Sequence, residues 1–196
     1  MLRTCPHPDL ERELTKMELS LLSQVKQTGG MSKEAASIEI WRANILELET
    51  AFALVEEYFA RADVVSREGQ EEFSEEYFGD GRGFWLARSE TKLAGCMGLR
   101  ILSGTIERER EKEWCAEIKR MYVREKFRGQ GIAQKLLEAG ERFARGAGYH
   151  WIYLDTTNEM RAAARLYERN LYQRCERYND NSQATIFMRK KLEVTS

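Results

Sequence analysis

The fold is decided by the stretch Glu117-Ile-Lys-Arg-Met-Tyr-Val-Arg-Glu-Lys-Phe-Arg128-Gly129-Gln130-Gly131-Ile132-Ala133. It reads as a strand running to Val123, a basic turn bearing two glycines, and a helix whose face is Ile132, Leu136, Gly140 and Phe143. Glycines in such a turn accept positive φ and let a ligand approach the backbone. Free N–H groups at the helix start form an anion cradle, strengthened by the helix dipole. Arg124, Lys126 and Arg128 add positive charge beside it, so the segment is a seat for a phosphate or pyrophosphate. Spacing narrows the ligand. A Walker A loop needs Gly-Lys-Ser/Thr, but Ile132 follows Gly131. A dinucleotide fingerprint needs glycine where Gln134 stands, although Asp155 falls near the expected acidic position. A helix start with glycines for turning and arginines for solubility stays open beside the phosphate reading.

Outward from this junction the periodicity alternates. Ile38 to Arg42 predicts a strand, Leu48, Phe52, Val55 and Phe59 a helical face, and Glu71 to Phe78 a second, acidic helix. Phe84 to Ala87 and Leu93 to Leu102 predict strands joined by a turn near Ser89 to Lys92, and Glu107 to Glu113 a solvated connection. Cys115 to Val123 is a strand, Ile132 to Arg145 a helix, Trp151 to Asp155 a strand, and Met160 to Asn170 a helix. Two last strands are expected near Tyr172 to Tyr178 and Ala184 to Lys190. Strand pairs at both ends with strand-helix-strand between them make a mixed α/β (α+β) sheet with helices on both faces. Residues 1–34 are expected to form an amphipathic helical extension, with Leu10, Leu14, Met17, Leu21 and Val25 on one stripe, and residues 35–196 the main domain. That stripe leaves room for docking on the body or for a homodimer.

Composition excludes several classes. The 196 residues carry 31 basic and 32 acidic side chains, so nucleic-acid binding by bulk charge is not expected. No run approaches the roughly 18 apolar residues of a membrane span, and the first thirty residues carry charges in place of a signal-peptide core, so a cytoplasmic location is expected. Four scattered cysteines and two histidines provide neither a zinc site nor a disulfide framework, so no metal is expected.

Arg128-Gly-Gln-Gly131-Ile-Ala133 resembles the Q/R-x-x-G-x-G/A signature of the GNAT superfamily of acyl-CoA-dependent N-acetyltransferases. Cys115-Ala-Glu-Ile-Lys-Arg-Met-Tyr-Val123 is similar to the family strand upstream of it. Leu154-Asp-Thr-Thr, followed by Met160, Ala163 and Leu166-Tyr167-Glu168, is similar to the strand and helix downstream. Leu93-Ala-Gly-Cys-Met-Gly-Leu-Arg100 also fits the family's third strand, and the resemblance spans about residues 36 to 192. The resemblance implies a mixed, largely antiparallel sheet with splayed central strands. It implies backbone pairing of Met121, Tyr122 and Val123 with the pantetheine arm of acetyl-CoA, one of these N–H groups polarising the thioester carbonyl. It implies that Arg128, Gly129, Gln130, Gly131, Ile132 and Ala133 hold the pyrophosphate and that Tyr167 lies near the leaving sulfur. It departs from the family after Glu168, where Leu171-Tyr172 replaces glycine and an aromatic residue.

The implied reaction is direct attack by a primary amine of a small molecule or amino acid. Protein lysine or N-terminal acetylation and acyl-CoA sensing without turnover are the alternatives. Attack needs the neutral amine, and alkylamines titrate near 10.4, so a base is required. Glu117 is the candidate, on the same face as Met121 by period-two counting, with a structural partner for a nearby cation as its other role. The carboxylates Glu68, Glu71, Glu72, Glu75, Glu76 and Asp80 suit a cationic acceptor, or else form a solvated helix face.

Overall fold

The computed structural model describes residues 37–62, 64–65, 67–102 and 114–193. The expected leading helix and the 107–113 connection lie outside these residues. Seven strands are β1 (Ile38–Arg42), β2 (Gly83–Ser89), β3 (Lys92–Ile101), β4 (Cys115–Val123), β5 (Trp151–Thr156), β6 (Gln173–Arg174) and β7 (Ile186–Lys191). Four helices are α1 (Leu48–Arg61), α2 (Gln70–Tyr77), α3 (Ile132–Gly146) and α4 (Arg161–Arg169). The sheet order is β1-β2-β3-β4-β5-β7-β6, and β4 with β5 is its single parallel pair.

Strand alternation sorts the core into two layers. Trp85, Ala87, Met97, Leu99, Ile118, Ile152 and Leu154 point to one face, where Ile132, Leu136 and Leu137 of α3 and Leu166 and Tyr167 of α4 cover them. Phe84, Leu86 and Cys96 point the other way, against Leu54, Val55 and Phe59 of α1 and Phe73 and Tyr77 of α2. The neighbours in the sheet are thus shared between opposite helical layers, which is what a strand buried on both faces requires.

Two departures from the expected pattern matter. The strand predicted over 172–178 contracts to Gln173–Arg174. Beyond it, Asn179 Oδ1 accepts the Asn181 N–H at 3.1 Å and Asn181 Oδ1 accepts the Gln183 N–H at 3.1 Å. These side-chain turns compete with the ladder and fold the chain back toward β5.

The second is a bulge in β4. Cys96 faces Tyr122 but Gly98 faces Lys119, and Arg120 takes φ 55°. One extra residue reverses the parity of the strand. Ile118 and Met121, three apart, therefore pack on the same face. Period-two counting across this point fails, and Glu117 lies on the face opposite Met121.

The departure at Leu171 leaves the turn intact. Leu171 N–H bonds Glu168 O at 3.1 Å and Tyr172 N–H bonds Tyr167 O at 3.0 Å, a Schellman ending. Leu171 accordingly adopts φ 67°, and the rings of Tyr167 and Tyr172 meet edge-on at 5.7 Å. A β-carbon in the left-handed region costs about 1–2 kcal/mol, and the Leu171 side chain is 75% exposed, so packing offsets little of it. Leu171→Gly is expected to stabilise the domain by about 0.5–1 kcal/mol, after the larger unfolded-state entropy of glycine is subtracted. Gly95→Ala should act oppositely: its β-carbon would lie 2.4 Å from the Tyr122 carbonyl oxygen, and overpacking of this kind costs about 1–3 kcal/mol. Urea midpoints of the two variants check both signs.

Candidate functional site

The parallel ladder of β4 and β5 runs from Cys115↔Trp151 to Ile118↔Leu154 and stops, although both strands continue. The strands part there, and a cavity of about 480 Å³ opens at the parting. Met121, Met160, Ala163 and Tyr167 line one side of it. The Schellman ending and the contact with Tyr172 fix the Tyr167 ring, which is 4% exposed. Burial pushes its phenol well above the ordinary value, so it stays protonated through the physiological range.

The other side is polar. Lys119 Nζ reaches Asp155 Oδ2 at 2.8 Å across the parted strands. Asn179 Nδ2 donates to the same oxygen at 2.6 Å, and Asn181 Nδ2 to Oδ1 at 3.3 Å. Burial pushes the Asp155 carboxyl up, but the Lys119 ammonium and the hydrogen bonds from Lys119, Asn179 and Asn181 outweigh it and hold it below its usual range. Arg120 Nε donates to Glu68 Oε1 at 2.7 Å, with a second contact between Arg120 Nη2 and Glu68 Oε2, and its guanidinium stacks 4.9 Å from the Phe59 ring. These bonds hold the bulged residue in its left-handed conformation.

Glu117 is 0% exposed and does not border the cavity. Its Oε2 accepts Arg100 Nε at 2.7 Å. Its Oε1 accepts the Tyr178 hydroxyl at 2.9 Å and Asn179 Nδ2 at 3.0 Å, with Lys119 Nζ at 3.3 Å. Arg100, Lys119 and Asn179 line the cavity, so Glu117 acts on it only through them. The acidic character expected of α2 is also reduced. Glu68 is paired with Arg120, and Glu76 takes Arg100 Nη1 at 2.5 Å. Glu71, Glu75 and Asp80 are not among the lining residues. Arg67, Asn179 and Asn181, which sequence reasoning had not singled out, are.

The glycine turn has the geometry of an anion seat. Gly129 and Gly131 take φ 76° and 79°, and a β-carbon on either would meet no atom within 4 Å. The helix bond Lys135 N–H to Gly131 O starts α3, and Gly131 as N-cap offers no side-chain cap, so the first N–H groups face outward. Arg128 Nε is tied to Val123 O at 3.2 Å, while Ile132 anchors the helix in the core. Tyr122 turns its side chain to α1, where its hydroxyl bonds Glu57 at 2.8 Å, leaving only its backbone near the parted strands. Arg124 does not join the seat: it pairs with Glu57 at 2.7 Å and donates to Leu93 O at 2.8 Å.

The model of the acetyltransferase (GNAT) family matches residues 48–171. The chain belongs to this family. Human N-acetyltransferase 8B is 32% identical over 107 residues, covering 54% of this chain and 45% of the relative. The protein of Escherichia coli (strain K12) named Uncharacterized N-acetyltransferase YjgM is 31% identical over 115 residues, covering 57% and 65%. The match spans about half the length of these curated relatives. Among solved structures, a GNAT-family acetyltransferase from Staphylococcus aureus superposes with TM-score 0.65 at 20% identity, over 80% of this chain and all of that one. Arabidopsis thaliana NAA60 in complex with a bisubstrate analogue gives TM-score 0.61 at 22% identity, over 80% and 100%. These likenesses show that the domain has the fold of GNAT acetyltransferases.

The Asp155 network sets a pH test. A carboxyl held low in the fold contributes stability above its unfolded value of about 3.9, and that contribution disappears as pH falls through the folded value. Asp155→Asn should therefore lower the melting temperature at pH 7, and the gap from wild type should shrink below about pH 4. A gap constant between pH 7 and pH 3 would contradict the ion-pair account.

Proposed function

We propose that the domain transfers the acetyl group of acetyl-CoA to a primary amine of a small molecule or amino acid, by direct attack. The reading rests on one juxtaposition: Met121 and Tyr167 line the same opening between β4 and β5, on the strand that leads into the glycine turn. Acetyl-CoA fits these residues chemically. The exposed N–H groups from Gly129 to Ala133 receive the diphosphate, Arg128 adds charge, and the free edges of the parted strands receive the amide-bearing arm.

Within this reading, the backbone near Met121 donates to the thioester oxygen as negative charge develops there. The amine nitrogen bonds to the carbonyl carbon as the carbon–sulfur bond breaks, and the sulfur leaves as thiolate. Tyr167 donates a hydrogen bond to that sulfur and keeps its proton. A phenol raised above about 10 does not yield its proton to a thiolate whose thiol titrates near 8.5. The ammonium proton of the acceptor passes to solvent before attack, and the proton released as the amide forms goes to the departing thiolate, which is released as the free thiol. Glu117, saturated by its partners, serves to position Arg100 and Lys119.

Tyr167→Phe should lower kcat by about 10- to 100-fold, the worth of a hydrogen bond to a charged atom, with the KM for acetyl-CoA within about twofold of wild type. Free-thiol release across an amine panel reads this directly, and unchanged turnover removes the assignment. Thermal shift separates the reading from nucleotide binding. Acetyl-CoA at 100 times its Kd should add about 2.7 kcal/mol, whereas NAD and ATP should add none. Acetyl-CoA binding without thiol release on any amine would identify a sensor instead.

A further inference from the structure

Nine charged side chains line the cavity: Arg67, Arg100, Lys119 and Arg120 against Glu68, Glu72, Glu76, Asp155 and Asp180. Six of them are matched within the wall. Arg120 pairs with Glu68, Arg100 with Glu76, and Lys119 with Asp155. Three remain: one cation, Arg67, and two anions, Glu72 and Asp180. Arg67 is paired with no carboxylate among the described residues: Nε donates to Val64 O at 2.9 Å, Nη2 to Phe59 O at 3.4 Å, and the guanidinium lies 5.9 Å over the Phe59 ring. Those bonds fix the guanidinium at the C-terminal end of α1 without neutralising it. Glu72, in the first turn of α2, faces the cavity with no cationic partner among the described residues.

We infer that Arg67 and Glu72 form a binding site for a zwitterionic acceptor: a primary amine that carries its own carboxylate nearby, as a free α-amino acid does. The carboxylate pairs with Arg67, whose planar fork suits two-oxygen recognition. The ammonium is drawn to Glu72 before it is deprotonated. The inference rests on the acetyl-transfer reading and narrows its acceptor. The fixed cation argues against the other acceptors. A polyamine or a polycationic sugar would set a second positive charge against the unneutralised Arg67. An amine with no carboxylate leaves Arg67 without a counterion. A protein N-terminus keeps its carboxylate at the far end of the chain.

The test is a matched panel of a free amino acid, its carboxamide, the corresponding decarboxylated amine and a linear diamine, assayed by thiol release with wild type, Arg67→Gln and Arg67→Glu. Wild type is expected to favour the free amino acid over its carboxamide by at least about tenfold in kcat/KM, the worth of one charge-assisted contact. Arg67→Gln should bring the two within about twofold, and Arg67→Glu should favour the diamine. Both variants should keep the wild-type KM for acetyl-CoA and its thermal stabilisation, which reports that they are folded. Equal wild-type rates on acid and carboxamide, a preference for the diamine or for a peptide N-terminus, or a preference that survives Arg67→Gln overturns the zwitterion site while leaving acetyl transfer intact. Absence of thiol release with every amine overturns the acetyl-transfer reading and the site with it.

Discussion

The molecule is organised around a ladder that stops. Parallel strands β4 and β5 pair for four residues each and then separate while still inside the sheet. Unpaired backbone at the centre of a sheet is costly unless something else satisfies it. Two devices maintain the separation. On β4 the bulge at Arg120 re-aims the strand, and Glu68 with Phe59 clamps the residue that adopts the unfavourable conformation. Across the opening, Lys119 and Asp155 replace the missing backbone rungs with an ion pair, itself buttressed by Asn179 and Asn181. The site is thus produced by an interrupted secondary structure, and the charges around it serve first to keep the interruption open.

The same bulge divides the chemistry between two faces. Because parity reverses at Arg120, Met121 joins Tyr167 on the α3–α4 side, while Glu117 and its partners occupy the other. In the proposed reaction the acyl donor and the acceptor approach from opposite sides of the sheet and meet in the opening. Glu117 then has a clear structural task. Four donors converge on one fully buried carboxylate, which ties β3, β4 and the 178–179 segment into a single unit behind the acceptor wall. A carboxylate so enclosed is retained because both of its oxygens accept from cationic or polar donors.

Much of this was legible in the residues. The limits of β4 are those that the alternation Cys115 to Val123 predicts, and the glycine turn has the positive φ values that its composition demands. Leu171 accepts the left-handed conformation that glycine usually takes, because the Schellman bonds around it are local and strong enough to impose it. What escaped was non-local. Nothing in Lys119-Arg120-Met121 itself announces a bulge; it arises from register against β3. Likewise the carboxylates from Glu68 through Glu76 read as one acidic face, since partners 24 and 52 positions away, Arg100 and Arg120, are invisible to any window along this segment. The amide side chains at 179 and 181 fall in the short polar connection between the two last predicted strands, where nothing local marks a cavity wall.

The acceptor wall is assembled from both ends of the domain. Val65 N–H, from the connection between α1 and α2, bonds Gln183 Oε1 at 2.9 Å, and Asn179 and Asn181 arrive just ahead of β7, which inserts between β5 and β6. Contacts of this sequence separation form late, after the loop they close has been ordered. A nascent chain that has emerged only as far as α4 can carry the glycine turn and Tyr167, yet it lacks half the wall opposite them. Completion of the acceptor pocket is therefore coupled to docking of the final strand, and a polypeptide still attached to the ribosome at that stage has no finished place for an amine.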